Sequence, residues 1–279
     1  MPFEIPEAAP LRASGGAASL RARVVPLTDI GRKRKNNEDN YLVLPLDGEV
    51  LEQTPEELSF SLSAPGLLLA VADGMGGHQC GEVASRLCVE NLGEEIFKRL
   101  PEDSGPDVDP YAAIEEAVEA THQIIYQKSQ THPALEGMGS TLTAALIRGQ
   151  QLTLAQVGDS RAYLIREGRL NLLTEDQTVG NLLRAQEISS QTAPINDVLT
   201  QAMGAQAGLQ VVTSAAEMAP RDVLLLCSDG LYKVVSPDEI LEIVQPLSSM
   251  RTKAEHLIQR ANENGGPDNI TVVVAEIFA

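Results

Sequence analysis

The chain has 279 residues and is strongly acidic, with 39 Asp and Glu against 21 Lys and Arg and a net charge of −18. Such a surface repels nucleic acids and anionic membranes, so we expect neither as a partner. Hydrophobic residues make up 43% of the chain and aromatic residues only 3%, which predicts a core of Leu, Val, Ile and Ala.

Residues 1–19 are rich in Ala, Gly and Pro and have no clear hydrophobic period. We predict that they form a flexible tail. From residue 20 onward there is no repeat and no long linker, so residues 20–279 are predicted to form one domain. Two polar stretches within it, residues 45–65 and 101–110, are interpreted as loops between elements.

Short apolar runs predict strands, and apolar residues repeating with a helical period predict helices. In chain order, the predicted elements are a strand at Leu67–Ala72, helices at Val83–Leu100 and from Tyr111 to about Gln130, strands at Leu142–Ile147, Leu152–Val157, Ala162–Ile165 and Val223–Cys227, helices opening at Ser236 and covering about Thr252–Asn262, and a last strand at Ile270–Ile277. Glycine-containing turns between several strands favour antiparallel hairpins. The interleaving of helices and strands predicts an α+β layered sandwich rather than a βαβ repeat.

Capping signals support two of these helices. Asp109 is predicted to be the N-cap of the second helix, with Pro110 at its first position. Ser236 and Glu239 form a capping box at the start of the third helix. The buried stripe of the second helix is predicted to comprise Ile114, Val118, Ile124 and Ile125.

Acidic residues recur where predicted strands meet a turn. These residues are Asp73, Asp159 and Asp229, each next to a glycine at a strand end, together with Asp268 and the pair Glu38-Asp39, which precede apolar runs. A single Asp-Gly pair is ordinary turn chemistry. Strands that pair in one core bring their ends together, however, so we expect these carboxylates to converge.

Converging carboxylates need a counter-charge. Two of them ~4 Å apart repel by about 4 kcal/mol at an effective dielectric constant of ~20. Hard oxygen ligands without His or Cys neighbours favour Mg²⁺ or Mn²⁺. Gly74, Gly76 and Gly77 would let the backbone approach an ion closely, so the Gly74 carbonyl is a further candidate ligand.

Six motifs resemble the metal-dependent protein phosphatases of type 2C, the PPM family, and in particular its compact bacterial members. They occur in the family's order and cover roughly residues 21–277. The motifs are Gly31–Asp39 (GRKRKNNED), Val71–His78 (VADGMGGH), Gly139–Leu142 (GSTL), Gly158–Tyr163 (GDSRAY), Ser228–Leu231 (SDGL) and Pro267–Thr271 (PDNIT).

The resemblance implies a four-layer α/β/β/α sandwich, two antiparallel sheets flanked by helix pairs, with a metal cluster at one end. Asp73 would bridge two Mn²⁺ or Mg²⁺ ions, with the Gly74 carbonyl on one of them. The other implied metal ligands are Asp229 and Asp268 for the first ion, Glu38 and Asp39 for the second, and Asp159 for a third. Arg34 matches the arginine that grips the substrate phosphate, because its planar fork suits paired phosphate oxygens.

The activity implied is hydrolysis of phosphoserine and phosphothreonine in proteins by a metal-activated water that attacks phosphorus in line. A serine/threonine kinase that adds these phosphates is implied as well, and we expect a monomer. Two positions depart from the family pattern. Met75 stands where eukaryotic relatives carry a histidine, and Gln177 replaces a histidine that often follows the Leu-Thr pair. His78 is a candidate proton donor to the leaving group, although bracing its own loop is the alternative.

Two other functions stay open at this point. A pseudophosphatase would bind a phosphoprotein without turnover, but the sequence retains every expected ligand. A two-metal phosphodiesterase typically mixes several His with Asp, whereas this chain has four His and none in a ligand-like pair. Three cysteines without a CxxC pair, no signal peptide and no apolar run of ~18 residues predict a soluble, cytoplasmic protein.

Overall fold

Thirteen strands form the frame of the computed structural model, which describes residues 20–54, 57–76, 80–101, 108–186, 193–245 and 248–279. The predicted tail, residues 1–19, and the candidate proton donor His78 lie outside these ranges. The strands are β1 (Arg21–Asp29), β2 (Asp39–Pro45), β3 (Glu52–Gln53), β4 (Leu58–Ser61), β5 (Leu67–Met75), β6 (Gly139–Ser140), β7 (Leu142–Arg148), β8 (Gln151–Val157), β9 (Arg161–Arg166), β10 (Arg169–Leu172), β11 (Val212–Glu217), β12 (Val223–Cys227) and β13 (Ile270–Phe278).

The strands build two antiparallel sheets. The first has the order β10-β9-β12-β13-β1-β4-β3, and the second has the order β11-β8-β7-β5-β2, with β6 added beside β5. The longest ladder joins β1 to β13 from Arg21 opposite Phe278 to Asp29 opposite Ile270. Strands that are far apart in the sequence are therefore neighbours in a sheet, and their ends lie together at its edge.

Helices cover the outer face of each sheet. They are α1 (Cys80–Arg99), α2 (Pro110–Thr131), α3 (Val179–Ala185), α4 (Ala193–Asn196), α5 (Asp229–Tyr232), α6 (Pro237–Val244) and α7 (Met250–Glu263). The pair α1 and α2 packs on the second sheet, and α6 and α7 pack on the first. The predicted α/β/β/α sandwich is confirmed, as are the Asp109 N-cap and the capping box of Ser236 and Glu239.

The alternation of side chains along β5 shows how the layers are held together. Leu67, Leu69 and Val71 point into the core between the sheets, while Leu68 and Ala70 point toward α1 and α2. All five are fully buried. Both faces of this strand are therefore apolar, which explains why it is a continuous apolar run in the sequence. Among the described helices, none combines the length and the apolarity needed to cross a bilayer.

Two local predictions were wrong. Residues 45–65 are not a plain loop, because β3 and β4 lie within them and extend the first sheet. Ile124 was placed on the buried stripe of α2 but is 37% exposed, since Ile125 occupies the core position. Cys80, at the start of α1, is buried, and its Sγ donates a hydrogen bond to the Ala134 carbonyl.

His122 is completely buried in α2. Its Nδ1 accepts a hydrogen bond from the backbone N–H of Gly204 at 3.0 Å. Gly204 has a φ of +75°, and an added Cβ there would overlap the Ile125 side chain. The imidazole thus holds a tight backbone turn against the helix, and burial lowers its pKa because the charged form is poorly solvated.

This geometry predicts a pH-dependent contribution to stability. A neutral His122 is favoured in the folded chain, so its contribution is complete above the ordinary histidine pKa and is lost as the pH falls below it. The loss is at most about 1.4 kcal/mol per pH unit. We expect urea denaturation at pH 7.5 and 5.5 to show a smaller pH effect in His122→Gln than in the parent. His256→Gln replaces an exposed histidine and should retain the parent's pH effect. If the free energy of unfolding changed equally between the two pH values in all three proteins, His122 would not be the source of the pH dependence.

Candidate metal centre

The predicted carboxylates meet at one end of the sandwich. Asp39 begins β2 and lies directly opposite Asp73 of β5 in the ladder. Asp159 follows β8, Asp229 opens α5 directly after β12, and Asp268 precedes β13. A cavity of about 470 Å³ at this edge is lined by Arg34, Glu38, Asp73, Gly74, Asp159, Asp229 and Asp268, with Asp39 buried nearby.

Asp39 and Asp73 carry the strongest electrostatic signature of the site. Asp39 is only 5% exposed, and the Ser228 hydroxyl donates to its Oδ2 at 2.7 Å. Burial raises the pKa of Asp39 to about 7, with the charges of Asp229 and Asp268 adding to the effect. Burial also raises the pKa of Asp73 well above its usual range, and the facing Asp39 is the next cause. Two like charges directly opposite on paired strands are destabilising unless a cation joins them.

Two basic side chains partly neutralise the negative charge of these carboxylates. Lys233 Nζ lies 2.6 Å from Asp229 Oδ2 and 4.0 Å from Asp159 Oδ2. Arg34 Nη2 lies 2.7 Å from Asp268 Oδ2, and its side chain is half exposed at the mouth of the cavity. Each cation therefore occupies the side of a carboxylate that faces the cavity.

The glycines here allow backbone and carboxylate to approach closely. A Cβ on Gly81 would lie 2.8 Å from both Glu38 Oε2 and the Gly74 carbonyl oxygen. The carboxylate and the carbonyl thus meet at one point beside the start of α1. Burial raises the pKa of Glu38, although the charge of Arg34 opposes that effect. Met75 stands next to Gly74 in the cavity wall.

Asp159 is held by groups that the sequence analysis missed. The Tyr232 hydroxyl donates to this residue, 3.0 Å from its carbonyl and 3.2 Å from its Oδ2. The guanidinium of Arg161 lies 3.7 Å from the centre of the Tyr232 ring and makes a two-point ion pair with Asp176. Burial raises the pKa of Asp159 to about 6, and the Asp229 charge contributes.

Tyr232→Phe tests whether this hydroxyl positions Asp159. Losing one hydrogen bond to a carboxylate costs roughly 1.5–3 kcal/mol at most. We expect the Mn²⁺ concentration for half-maximal activity to rise about five- to tenfold, with the thermal midpoint nearly unchanged. Tyr163→Phe is the matched control, because the Tyr163 hydroxyl also contacts Arg161 but the contact does not involve Asp159. Equal metal dependence in the two variants would refute the positioning role.

Other unpredicted groups hold the surrounding loops. Asn269 accepts a hydrogen bond from the Glu38 N–H at 2.9 Å and donates to the carbonyls of Ile30 and Asn36. Gln177, interpreted as a weakened position, accepts from the Gly158 N–H at 2.7 Å and so braces the turn before Asp159. Asn269 lies in the PDNIT motif, and Gln177 is itself a departure from the family pattern. These two sequence features could have identified both residues as part of the site.

The donor set fits divalent cations. Asp39 Oδ1 and Asp229 Oδ1 are buried without a hydrogen-bond partner in the described residues. Buried acceptors are normally satisfied, so such oxygens point to a missing positive partner. Among the described residues, no three His, Cys, Asp or Glu side chains form a ready-made cage. Asp229 and Asp268 are turned to Lys233 and Arg34, so ion binding would compete with these pairs.

Fold and site together define a metal-dependent hydrolase. Residues 57–264 match the sequence pattern of the protein phosphatase 2C family. The chain is 36% identical over 253 residues to the serine/threonine phosphatase stp of Listeria monocytogenes, covering 89% of this chain and 93% of that protein. The crystal structure of the Mycobacterium tuberculosis serine/threonine phosphatase PstP superposes with a TM-score of 0.76 at 35% identity, covering 93% of this chain and all of that one.

A structure of the PstP catalytic domain in complex with two manganese ions gives a TM-score of 0.75 at 36% identity, covering 94% of this chain and 100% of that one. The chain therefore belongs to the protein phosphatase 2C family. It is a metal-dependent serine/threonine protein phosphatase of the bacterial type.

Proposed function

We propose that the cavity lined by Asp73 is where this chain hydrolyses phosphoserine and phosphothreonine. The observation that carries the proposal is the burial of Asp39 opposite Asp73 with one carboxylate oxygen unpartnered. Keeping both groups charged at neutral pH requires nearby cations, because both pKa values are raised in the fold. The site therefore gains its working charge state only when it is loaded with metal.

The proposed ligands follow from the groups that face the cavity. Asp73 would bridge two ions, with Asp229 and Asp268 on the first. The Gly74 carbonyl, Glu38 and Asp39 would serve the bridged pair directly or through water. These donors are all oxygens, which suits Mn²⁺ and Mg²⁺ alike.

A third ion would be held by Asp159. This carboxylate lies at the same cavity and accepts a hydrogen bond from the Tyr232 hydroxyl. Asp197, which the sequence analysis did not single out, lines the same wall. Burial raises the pKa of Asp159, and the Asp229 charge adds to the effect, so a cation beside it would favour the carboxylate form.

The bound ions would lower the pKa of a water and supply it as the nucleophile. Arg34 would orient the substrate phosphate and offset charge on its equatorial oxygens, since its side chain stands at the cavity mouth. The cavity wall would keep the leaving seryl or threonyl oxygen opposite the attacking side. His78 remains a proposed proton donor for that oxygen, and Met75 has no group that could take its place.

We further propose a monomeric, cytoplasmic enzyme that opposes a serine/threonine kinase. The substrates would be phosphoproteins, whose phosphate would enter the cavity beside the half-exposed Arg34. Its three free cysteines, Cys80, Cys88 and Cys227, are all buried thiols, as expected for a reducing compartment.

The test is hydrolysis of p-nitrophenyl phosphate and of a phosphothreonine peptide with Mn²⁺, with Mg²⁺ and with EDTA. We expect turnover of both with either metal and none in EDTA. A bis-ester substrate should be inert, and its hydrolysis would favour a phosphodiesterase. Peptide binding without turnover under any metal would indicate a pseudophosphatase.

Replacing Arg34 tests the phosphate contact. Arg34→Lys keeps the charge but loses the planar fork, so kcat/KM for the phosphopeptide should fall roughly ten- to hundredfold. Lysine keeps a positive charge beside Asp268, so the Mn²⁺ dependence should change much less than kcat/KM. Lys33→Arg, at the exposed neighbouring position, is the control and should behave like the parent. An unaltered kcat/KM in Arg34→Lys would remove this arginine from the substrate site.

A further inference from the structure

A second cavity, also about 470 Å³, lies at the opposite end of the first sheet from the metal centre. Its wall includes Arg166 at the end of β9, Val223 at the start of β12 and Glu276 near the end of β13. The other ends of these three strands lead to the metal centre, at Arg161, Asp229 and Asp268. The length of the sheet therefore separates the two cavities.

The second cavity contains a buried lysine that lacks a partner. Lys253 of α7 is 5% exposed and lines the cavity, yet its Nζ makes no hydrogen bond or ion pair within the described residues. Glu276 is the nearest opposing charge, but its carboxylate is engaged by Arg23 at 3.4 Å. The Nζ atom keeps access to the cavity while the rest of the side chain is buried, so the ammonium is partly desolvated and faces the cavity. Burial accordingly lowers the pKa of Lys253.

The wall contains three cations, Arg166, Arg221 and Lys253, and three carboxylates, Glu167, Asp222 and Glu276, so its formal charges balance. The one fully buried carboxylate, Asp222, is saturated by the Arg166 guanidinium and by the Ala219 N–H at 2.7 Å. Arg221 has no ion pair within the described part of the chain and adds a second cation. Glu276 is held by Arg23 and Asp222 by Arg166, which leaves the exposed Glu167 as the third carboxylate. Lys253 and Arg221 are thus the two cations of the wall that no carboxylate holds within the described residues.

Three apolar side chains form part of the wall. Ile165 and Val223 form its floor on the sheet, and Val244 closes it from the end of α6. A volume of this size lies within the range of sites for small molecules, and the lining is about equally polar and apolar. The ligand that matches would combine one negative group with a hydrocarbon part.

We propose that this cavity binds a small organic anion whose single carboxylate or phosphate group meets Lys253 and whose apolar part rests on Ile165, Val223 and Val244. Arg221 completes the anion site at the rim. The proposal is independent of the phosphatase reaction, because no residue of this cavity lines the metal centre.

The test is an NMR titration of the full chain in EDTA, following the backbone amides of Gly168 and Val223 against Gly74. The probes are sodium butyrate, butyl phosphate and butylammonium chloride, which share one hydrocarbon chain and differ in the head group. We expect saturable shifts at Gly168 and Val223, but not at Gly74, with at least one of the two anions. The stronger anion then identifies the head group. No saturable shift with either anion, or equal binding of butylammonium, would overturn the proposal.

Variants connect the binding to the lysine. Lys253→Met keeps the apolar stem and should weaken the anion by roughly tenfold or more. It should not lower the thermal midpoint, since it removes an unpaired buried charge. Arg221→Gly is a second route, because Arg221 has a φ of +78° that glycine adopts without strain. Lys128→Met on α2 is the charge-matched control, and Asp73→Asn should bind the anion like the parent. Unchanged binding in both Lys253→Met and Arg221→Gly would refute the assignment.

Discussion

Asp73→Asn is expected to abolish metal-dependent phosphatase activity and, at the same time, to raise the thermal midpoint of the metal-free protein. The loss should be on the order of a thousandfold or more, because the variant removes the carboxylate proposed to join two ions. The gain in stability has a separate cause. Asp73 faces Asp39 across the β2–β5 ladder, and the amide removes one of two opposed charges.

The pH dependence of the stability gain follows from the sign of the pKa shifts. The pKa of Asp39 rises from its ordinary value to about 7 in the fold, so folding favours the protonated acid. Stability of the metal-free chain is then lost as the pH rises from about 4 toward 7. Asp73→Asn should flatten this decline, and the gain measured by thermal melts in EDTA should be larger at pH 7.5 than at pH 5.

Asp47→Asn is the matched control, since Asp47 also precedes a glycine but only turns the chain after β2. Its Oδ1 accepts the Glu49 N–H at 3.0 Å, a bond that the asparagine Oδ1 can keep. We expect normal activity and an unchanged midpoint. Substantial activity in Asp73→Asn, or a lower midpoint in EDTA, would contradict the charge arrangement proposed for the centre.

The carboxylates of the centre were predictable because their residue type suggests metal binding and their positions at strand ends predict that they converge. Each lies at the end of an apolar run, and sheets bring the ends of their strands to shared edges. Asp39 and Asp73 were thus expected to meet, and the ladder pairs them directly. Continuous apolar runs such as β5 and β12 were also found with nearly correct bounds, because both faces of these strands are buried.

Elements with mixed patterns escaped prediction. β1 contains Pro26, which argues against a central strand. In the structure Pro26 lies beyond Val24, where the β4 ladder ends, so β1 is paired on one side only at that point. β4 was hidden for a different reason, because its four residues alternate between Ser and apolar side chains in a polar stretch.

The supporting groups of the site could not be derived from local sequence. Asn269 meets Glu38 across 231 positions, and Tyr232 meets Asp159 across 73. Neither an amide nor a phenol signals metal chemistry by its type. Buried His122 is similar, because only the fold brings the Gly204 N–H to its ring. Such contacts depend on packing rather than on periodicity.

Gly230→Ala is the second prediction with a large expected effect, although glycine carries no charge and binds nothing. An added Cβ on Gly230 would overlap the carbonyl oxygen of Asn269. Gly230 follows Asp229, and Asn269 follows Asp268, so the two backbones that carry these carboxylates would be forced apart. Misplacing reacting groups by ~1 Å can cost about a hundredfold in rate. We expect at least that loss in kcat, together with weaker Mn²⁺ binding.

Gly208→Ala separates this effect from a general cost of replacing glycine. An added Cβ at Gly208 meets nothing within 4 Å, so activity and metal affinity should match the parent. Calorimetric titration with Mn²⁺ and circular dichroism distinguish a displaced ligand from an unfolded chain. Overpacking costs typically ~1–3 kcal/mol, which leaves Gly230→Ala folded. Normal metal affinity in folded Gly230→Ala would mean that Asp229 and Asp268 do not need to lie close together. The proposal that both carboxylates bind the same ion would then be wrong.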